Sequence, residues 1–114
     1  MKREIAIGNQ FIGDNYPCFI TFEAGPTHSS LETALKLVDK AALSGANAIK
    51  FQIFDADKLV QNKTQMFSYS ILINKETGEL KEVSEPLYEI LKRRQLSIPE
   101  WRIVRERANK LNLA

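Results

Sequence analysis

The chain has 114 residues with five Gly, four Pro and a single Cys, and is 44% hydrophobic and 26% charged with a net charge of +2. That is the length of one ordinary domain and the composition of a folded chain, which excludes collagen-like, low-complexity and wholly disordered classes. No apolar run approaches the ~20 residues of a membrane helix, and the opening MKREIAIGNQ lacks the apolar stretch of a secretion signal. Cys18 alone makes no intrachain disulfide, so a reducing, cytoplasmic setting is expected.

Residues 1–16 read as a leading hairpin. Ile5–Gly8 and Gln10–Gly13 flank a break, and Asp14-Asn15-Tyr16-Pro17 is turn chemistry. Residues 17–54 read as a βαβ unit. Cys18-Phe19-Ile20-Thr21-Phe22-Glu23 is short, apolar and rich in strand formers, as a strand covered on both faces should be. After Ala24–His28 comes a helix. Ser29 and Glu32 have capping-box spacing, Leu31, Ala34, Leu35, Val38, Ala41 and Ala42 make one apolar stripe, and Gly45 sits where a left-handed cap is wanted. A second strand, Ala48–Phe54, comes next, so the connection must be a right-handed parallel crossover.

Residues 55–85 show no helical periodicity. Met66–Ile73 and Leu80–Val83 around the turn Asn74–Glu79 read as a hairpin inserted in a long loop. Residues 86–114 read as two helices preceding a third strand. Ser84 is the candidate cap of the first, with Leu87, Ile90 and Leu91 buried. Ser97 and Glu100 form a capping box for the second, with Leu96 and Trp101 as the hydrophobic staple and Trp101, Val104, Ala108 and Leu111 on one face.

Side chains alternate along a strand. Glu23 therefore shares a face with Thr21, and Lys50 and Gln52 share the face opposite Ile49, Phe51 and Ile53. Parallel α/β proteins bind ligands at the C-terminal ends of their strands, where these three polar residues converge. The alternative is a Glu23–Lys50 ion pair filling a core. His28, the only histidine, is a candidate acid/base or substrate donor, or else a loop imidazole bonded to backbone. One His and one Cys assemble no metal site. Seven of the Lys/Arg residues fall within 92–110 against two acids, Glu100 and Glu106. A solvated helix surface explains them better than nucleic-acid binding, which no motif accompanies.

Phe19-Ile20-Thr21-Phe22-Glu23-Ala24-Gly25-Pro26-Thr27-His28 resembles the E-[IA]-G-x-N-H segment of the sialic acid synthase (N-acetylneuraminate synthase) family. Ser44-Gly45-Ala46-Asn47-Ala48-Ile49-Lys50-Phe51-Gln52 resembles its A-G-A-D-A-[IV]-K-F-Q segment, and Leu87–Leu91 with Leu96–Trp101 resemble the family's next segments. The resemblance implies an α/β fold, the N-terminal portion of a (β/α)8 barrel, because 114 residues are too few for a closed barrel of about 250. It implies condensation of phosphoenolpyruvate with an N-acetylated amino sugar, such as N-acetylmannosamine, with release of phosphate. It implies a divalent metal, manganese or magnesium, with ligands outside this chain, and a homodimer at full length. By position it makes Glu23 the catalytic, sugar-contacting carboxylate near the reacting carbon, Lys50 the phosphoenolpyruvate contact, and Gln52 and His28 substrate contacts. Two departures stand out: Thr27 replaces the family's Asn, and Asn74 does not align with its sugar-binding asparagine, which leaves the acceptor sugar open. On this basis the isolated chain is expected to be inactive. Another phosphoenolpyruvate-dependent sugar aldolase on the same barrel, or a non-catalytic binding module using the basic helices, are the alternatives.

Overall fold

The computed structural model describes residues 3–114. The strands and helices are β1 (Glu4–Ile7), β2 (Gln10–Gly13), β3 (Thr21–Gly25), α1 (Leu31–Leu43), β4 (Ala48–Phe51), α2 (Ala56–Leu59), β5 (Met66–Asn74), β6 (Glu79–Pro86), α3 (Leu87–Arg94) and α4 (Ile98–Lys110). They form two units, residues 3–53 with Leu96–Ala114, and Phe54–Gln95.

In the first unit β1 and β2 pair antiparallel, and β3 and β4 pair parallel with Thr21 opposite Ala48, Phe22 opposite Ile49 and Glu23 opposite Lys50. The register shifts between Glu23 and Gly25, where Gly25 adopts a left-handed φ of 54° and pairs with Phe51. β3 starts three residues later than the apolar run suggests. Asn47 explains this: its Oδ1 accepts from Ile20 N at 2.8 Å and its backbone N donates to Ile20 O at 2.8 Å, so a side chain takes over part of the ladder. On the other edge of β4, Ala114 N donates to Asn47 O at 3.1 Å and Ile49 N to Ala114 O at 3.0 Å, a parallel bridge.

Two helices cover one face of this sheet. Ala34, Val38 and Ala41 of α1 meet Trp101, Val104 and Ala108 of α4, together with Leu96 and Leu113. Ile49 and Phe51 of β4 pack against them. Arg107 joins the helices from outside, donating to both carboxylate oxygens of Asp39 at 2.7 and 3.1 Å.

The helix ends of this unit follow the sequence patterns in part. The cap of α1 is Ser30, not Ser29, and its reciprocal partner is Thr33, not Glu32. Glu32 instead pairs with Lys36 one turn on, at 2.6 Å. The Ser97–Glu100 box forms as expected. Gly45 takes φ of 79° after α1, and Ala46 N bonds back to Ala41 O at 3.1 Å. Asn112 plays the same part after α4: its φ is 56°, and Leu113 N reaches Ala108 O at 2.9 Å. That turn delivers Leu113 to the core and leaves Leu111, expected there, exposed.

The second unit holds the inserted hairpin, β5 antiparallel to β6, with α2 and α3. The one-turn helix α2 is not legible from periodicity, since four residues carry none. Its signal is Asp55, whose side chain accepts from Asp57 N at 3.1 Å. Ser84 does not cap α3. β6 runs on to Pro86, which is the N-cap and has no side-chain cap bond, and Leu87 N donates to Gln65 O at 2.9 Å instead. No helix among the described residues is long and apolar enough to cross a membrane.

Candidate functional site

The parallel register sets Glu23 and Lys50 side by side at the C-terminal ends of β3 and β4. Lys50 Nζ lies 2.7 Å from Glu23 Oε2. Glu23 Oε1 accepts from the Gly25 N–H at 2.8 Å. The Lys50 ammonium, more than the Gly25 amide, holds the Glu23 carboxyl below the ordinary carboxylate range against a smaller opposing effect of desolvation. At neutral pH Glu23 is thus an anion, able to accept hydrogen bonds or a proton but not to donate one.

Gln52 joins the pair through the bulge. A Cβ built on Gly25 would stand 3.5 Å from Glu23 Oε1 and 3.8 Å from Gln52 Nε2, so the glycine keeps open a gap bounded by both side chains. The pair does not fill a core: the Lys50 and Glu23 side chains keep 66% and 49% of their surface exposed. Of the three Lys50 ammonium hydrogens the carboxylate engages one side, which leaves donors for a further anion.

His28 stands apart from these three. It is fully buried and packs edge-on against Phe51 and Trp101, with ring centroids 5.9 and 5.2 Å away. Phe51 points to the helix side of β4, opposite Lys50 and Gln52. His28 thus offers no surface to a substrate in this arrangement, and the expected substrate contact is a core side chain here. A cleft of about 650 Å³, lined by Ile49, Phe51, Ile53, Trp101 and Val104 among others, includes none of Glu23, Lys50 and Gln52.

Within the basic stretch, Lys92 pairs with Asp57, Arg93 with Glu85 and Arg107 with Asp39. Those three cations are neutralised locally. Among the described residues no group of three or more His, Cys, Asp or Glu could hold a metal ion. The residues present therefore do not by themselves fit a divalent cation.

Residues 37–114 match the family model described as NeuB family. The chain belongs to the NeuB family. It is 37% identical over 102 residues to the N,N'-diacetyllegionaminic acid synthase of Legionella pneumophila, covering 89% of this chain and 27% of that protein. It is 42% identical over 62 residues to the spore coat polysaccharide biosynthesis protein SpsE of Bacillus subtilis, covering 54% of this chain and 17% of that protein. Among solved structures it is similar to an N-acetylneuraminic acid (sialic acid) synthetase of Leptospira borgpetersenii in complex with citrate, with a TM-score of 0.68 and 30% identity over 99% of this chain and 33% of that one. The chain thus spans from 17% to 33% of the length of these NeuB-like proteins. Its α/β fold is that of part of a sialic acid synthetase, as the sequence motifs implied.

Proposed function

We propose that the chain is the substrate-contacting entrance of a NeuB-family synthase, comprising the first two strand–helix units of a (β/α)8 barrel. The reaction is the condensation of phosphoenolpyruvate with an N-acetylated amino sugar, such as N-acetylmannosamine, releasing phosphate. The observation that carries this is the convergence of Glu23, Lys50 and Gln52 at the C-terminal ends of two paired parallel strands, in a chain of this family. Lys50 supplies the cation for the phosphoenolpyruvate anion. Glu23, held ionised, faces the reacting carbon and accepts a hydrogen bond or proton from the sugar. Gln52 offers both a donor and an acceptor to sugar hydroxyls. Its amide lies beside the gap over Gly25.

A divalent metal, manganese or magnesium, would supply activation of the sugar aldehyde, and no group of described residues is assigned to hold it. The complete synthase is a cytoplasmic homodimer, and the isolated chain forms no product.

The test is a chimera in which residues 1–114 replace the matching segment of the Legionella synthase. It should turn over phosphoenolpyruvate with an unphosphorylated N-acetylated sugar, and Lys50→Met should reduce kcat/KM at least about 30-fold, as loss of the charged partner of an anionic substrate does. Turnover only with phosphorylated acceptors would assign the chain to another phosphoenolpyruvate-dependent aldolase. Unchanged kinetics in Lys50→Met would remove Lys50 from the site.

A further inference from the structure

His28, Phe51 and Trp101 come from three different elements, the loop after β3, β4 and α4, and each ring touches the other two. His28 meets Trp101 at 5.2 Å and 81°, and Phe51 at 5.9 Å and 74°; Phe51 meets Trp101 at 5.4 Å and 60°. Edge-to-face contacts of this kind have a preferred geometry rather than mere adhesion. Trp101 Nε1 is buried with no hydrogen-bond acceptor among the described residues, so packing holds this indole. The cluster has a defined relation to the polar site. Phe51 lies between Lys50 and Gln52 in sequence, so fixing its ring fixes the peptide units that carry both. His28 is reached from Glu23 by way of a tight turn. Gly25 takes its positive φ, and Thr27 N and Oγ1 both bond to Ala24 O, at 3.3 and 2.7 Å. The turn swings the imidazole to the helix side of the sheet, where it has no exposed surface.

We propose that His28 is a positioning residue: its ring, wedged between Phe51 and Trp101, sets the spacing of the β3 loop against β4 and thereby the approach of Glu23 to Lys50 and Gln52. Its significance for catalysis rests on the proposed synthase function, but its geometric content does not. A small residue at this position lets the loop relax, and Glu23 parts from Lys50. Burial alone does not imply this. Val38 is equally buried in the same unit but lies on α1, not on β3, β4 or the loop after β3.

The test uses the 114-residue chain labelled for NMR, with three readouts: the titration midpoint of the Glu23 carboxyl, the Lys50 and Gln52 amide shifts, and the thermal midpoint. His28→Ala should raise the Glu23 midpoint and move both amides, as loss of a close cation does. His28→Phe, which keeps a flat ring of similar reach, should displace both less than His28→Ala does. Val38→Ala should lower Tm yet leave the Glu23 midpoint in place. Should His28→Ala not fold, His28→Leu fills the volume without the flat edge and should still raise the Glu23 midpoint. The proposal is overturned if the folded Ala or Leu variant leaves Glu23 unmoved, if His28→Phe behaves like His28→Ala, or if Val38→Ala moves Glu23 as far. Phosphoenolpyruvate added to the wild-type chain separates the two readings. Lack of binding beside a shifted Glu23 in His28→Ala would count against the site and not against the positioning role.

Discussion

Asn47 and Gln10 tie the leading hairpin to the start of β3 and β4, and the cost of cutting that tie can be worked from its bonds. Gln10 Nε2 donates to Asn47 O at 2.7 Å and to Asn112 O at 3.1 Å. Asn47 Nδ2 donates to Gln10 Oε1 at 2.7 Å, and Asn47 Oδ1 accepts from Ile20 N at 2.8 Å. Asn47→Ala removes two side-chain bonds, one partly buried and one exposed. At about 0.5–1.5 kcal/mol each, the expected loss is about 1–3 kcal/mol. For a chain of this size that lowers Tm by about 4 °C per kcal/mol. Gln10→Ala also removes the bond to Asn112. Only the Asn47 Nδ2–Gln10 Oε1 bond joins the two side chains directly, so a double-mutant cycle should return a coupling of about 0.5–1.5 kcal/mol. Urea unfolding monitored by circular dichroism measures all four corners. A coupling below about 0.3 kcal/mol, the level at which independent sites add, would show that the two amides do not meet. These residues precede the strands, at the end opposite Glu23 and Lys50, so Asn47→Ala should leave phosphoenolpyruvate binding unchanged.

Other expected outcomes test separate parts of the structure. Ser97→Ala removes the hydroxyl that caps α4 and should cost about 1 kcal/mol in urea unfolding. Gly25→Ala forces a Cβ at φ of 54° into the gap between Glu23 and Gln52. It should cost about 1–2 kcal/mol of stability and also weaken phosphoenolpyruvate binding, whereas a purely conformational effect would change only the first. Glu85 accepts both arms of Arg93 at 2.6 Å and the Tyr69 hydroxyl at 2.6 Å, with Arg93 the larger influence, and its carboxyl is pushed down to about 2. Its folded value lies below the unfolded value of about 4.3, so its contribution to stability is full above about 4.3 and is lost as pH falls through about 2. Amide exchange in β5 and β6 should rise over that window in the wild type and be flatter in Glu85→Gln. Equal pH dependence in the two would mean that the Arg93–Glu85–Tyr69 contact does not support the hairpin.

Much of the architecture is legible in the sequence because it rests on local rules. Alternation places Glu23 and Lys50 on one side of their strands, and the register sets Glu23 directly beside Lys50; β4 ends at Phe51, three residues short of the expected Phe54, so Gln52 lies just past its end. The left-handed glycine after α1, the Ser97–Glu100 box and the inserted hairpin rest on turn and cap chemistry that few residues satisfy. The features that escape a sequence reading depend on side chains bonding to backbone far away along the chain. Asn47 displaces the start of β3 by bonding to Ile20, a bond that no pattern within β3 announces. Ser29 has an acid three residues on, yet the cap forms at the neighbouring Ser30 with Thr33, whose hydroxyl also returns a bond to the cap backbone. Leu113 replaces Leu111 in the core because Asn112 turns left-handed, which spacing along a continuing helix does not foresee. Proximity to Glu23 in sequence groups His28 with the polar residues, but the Ala24–Thr27 turn takes it to the opposite side of the sheet.

The most direct measurement of the central claim is a phosphoenolpyruvate titration of the isotopically labelled 114-residue chain, beside Lys50→Met and with inorganic phosphate as a competitor. Saturable shifts at Lys50, Gln52 and Gly25 amides, absent in Lys50→Met, are the predicted result. Shifts that leave those three amides untouched, or that persist unchanged in Lys50→Met, would contradict the assignment of this strand-end cluster as the phosphoenolpyruvate site.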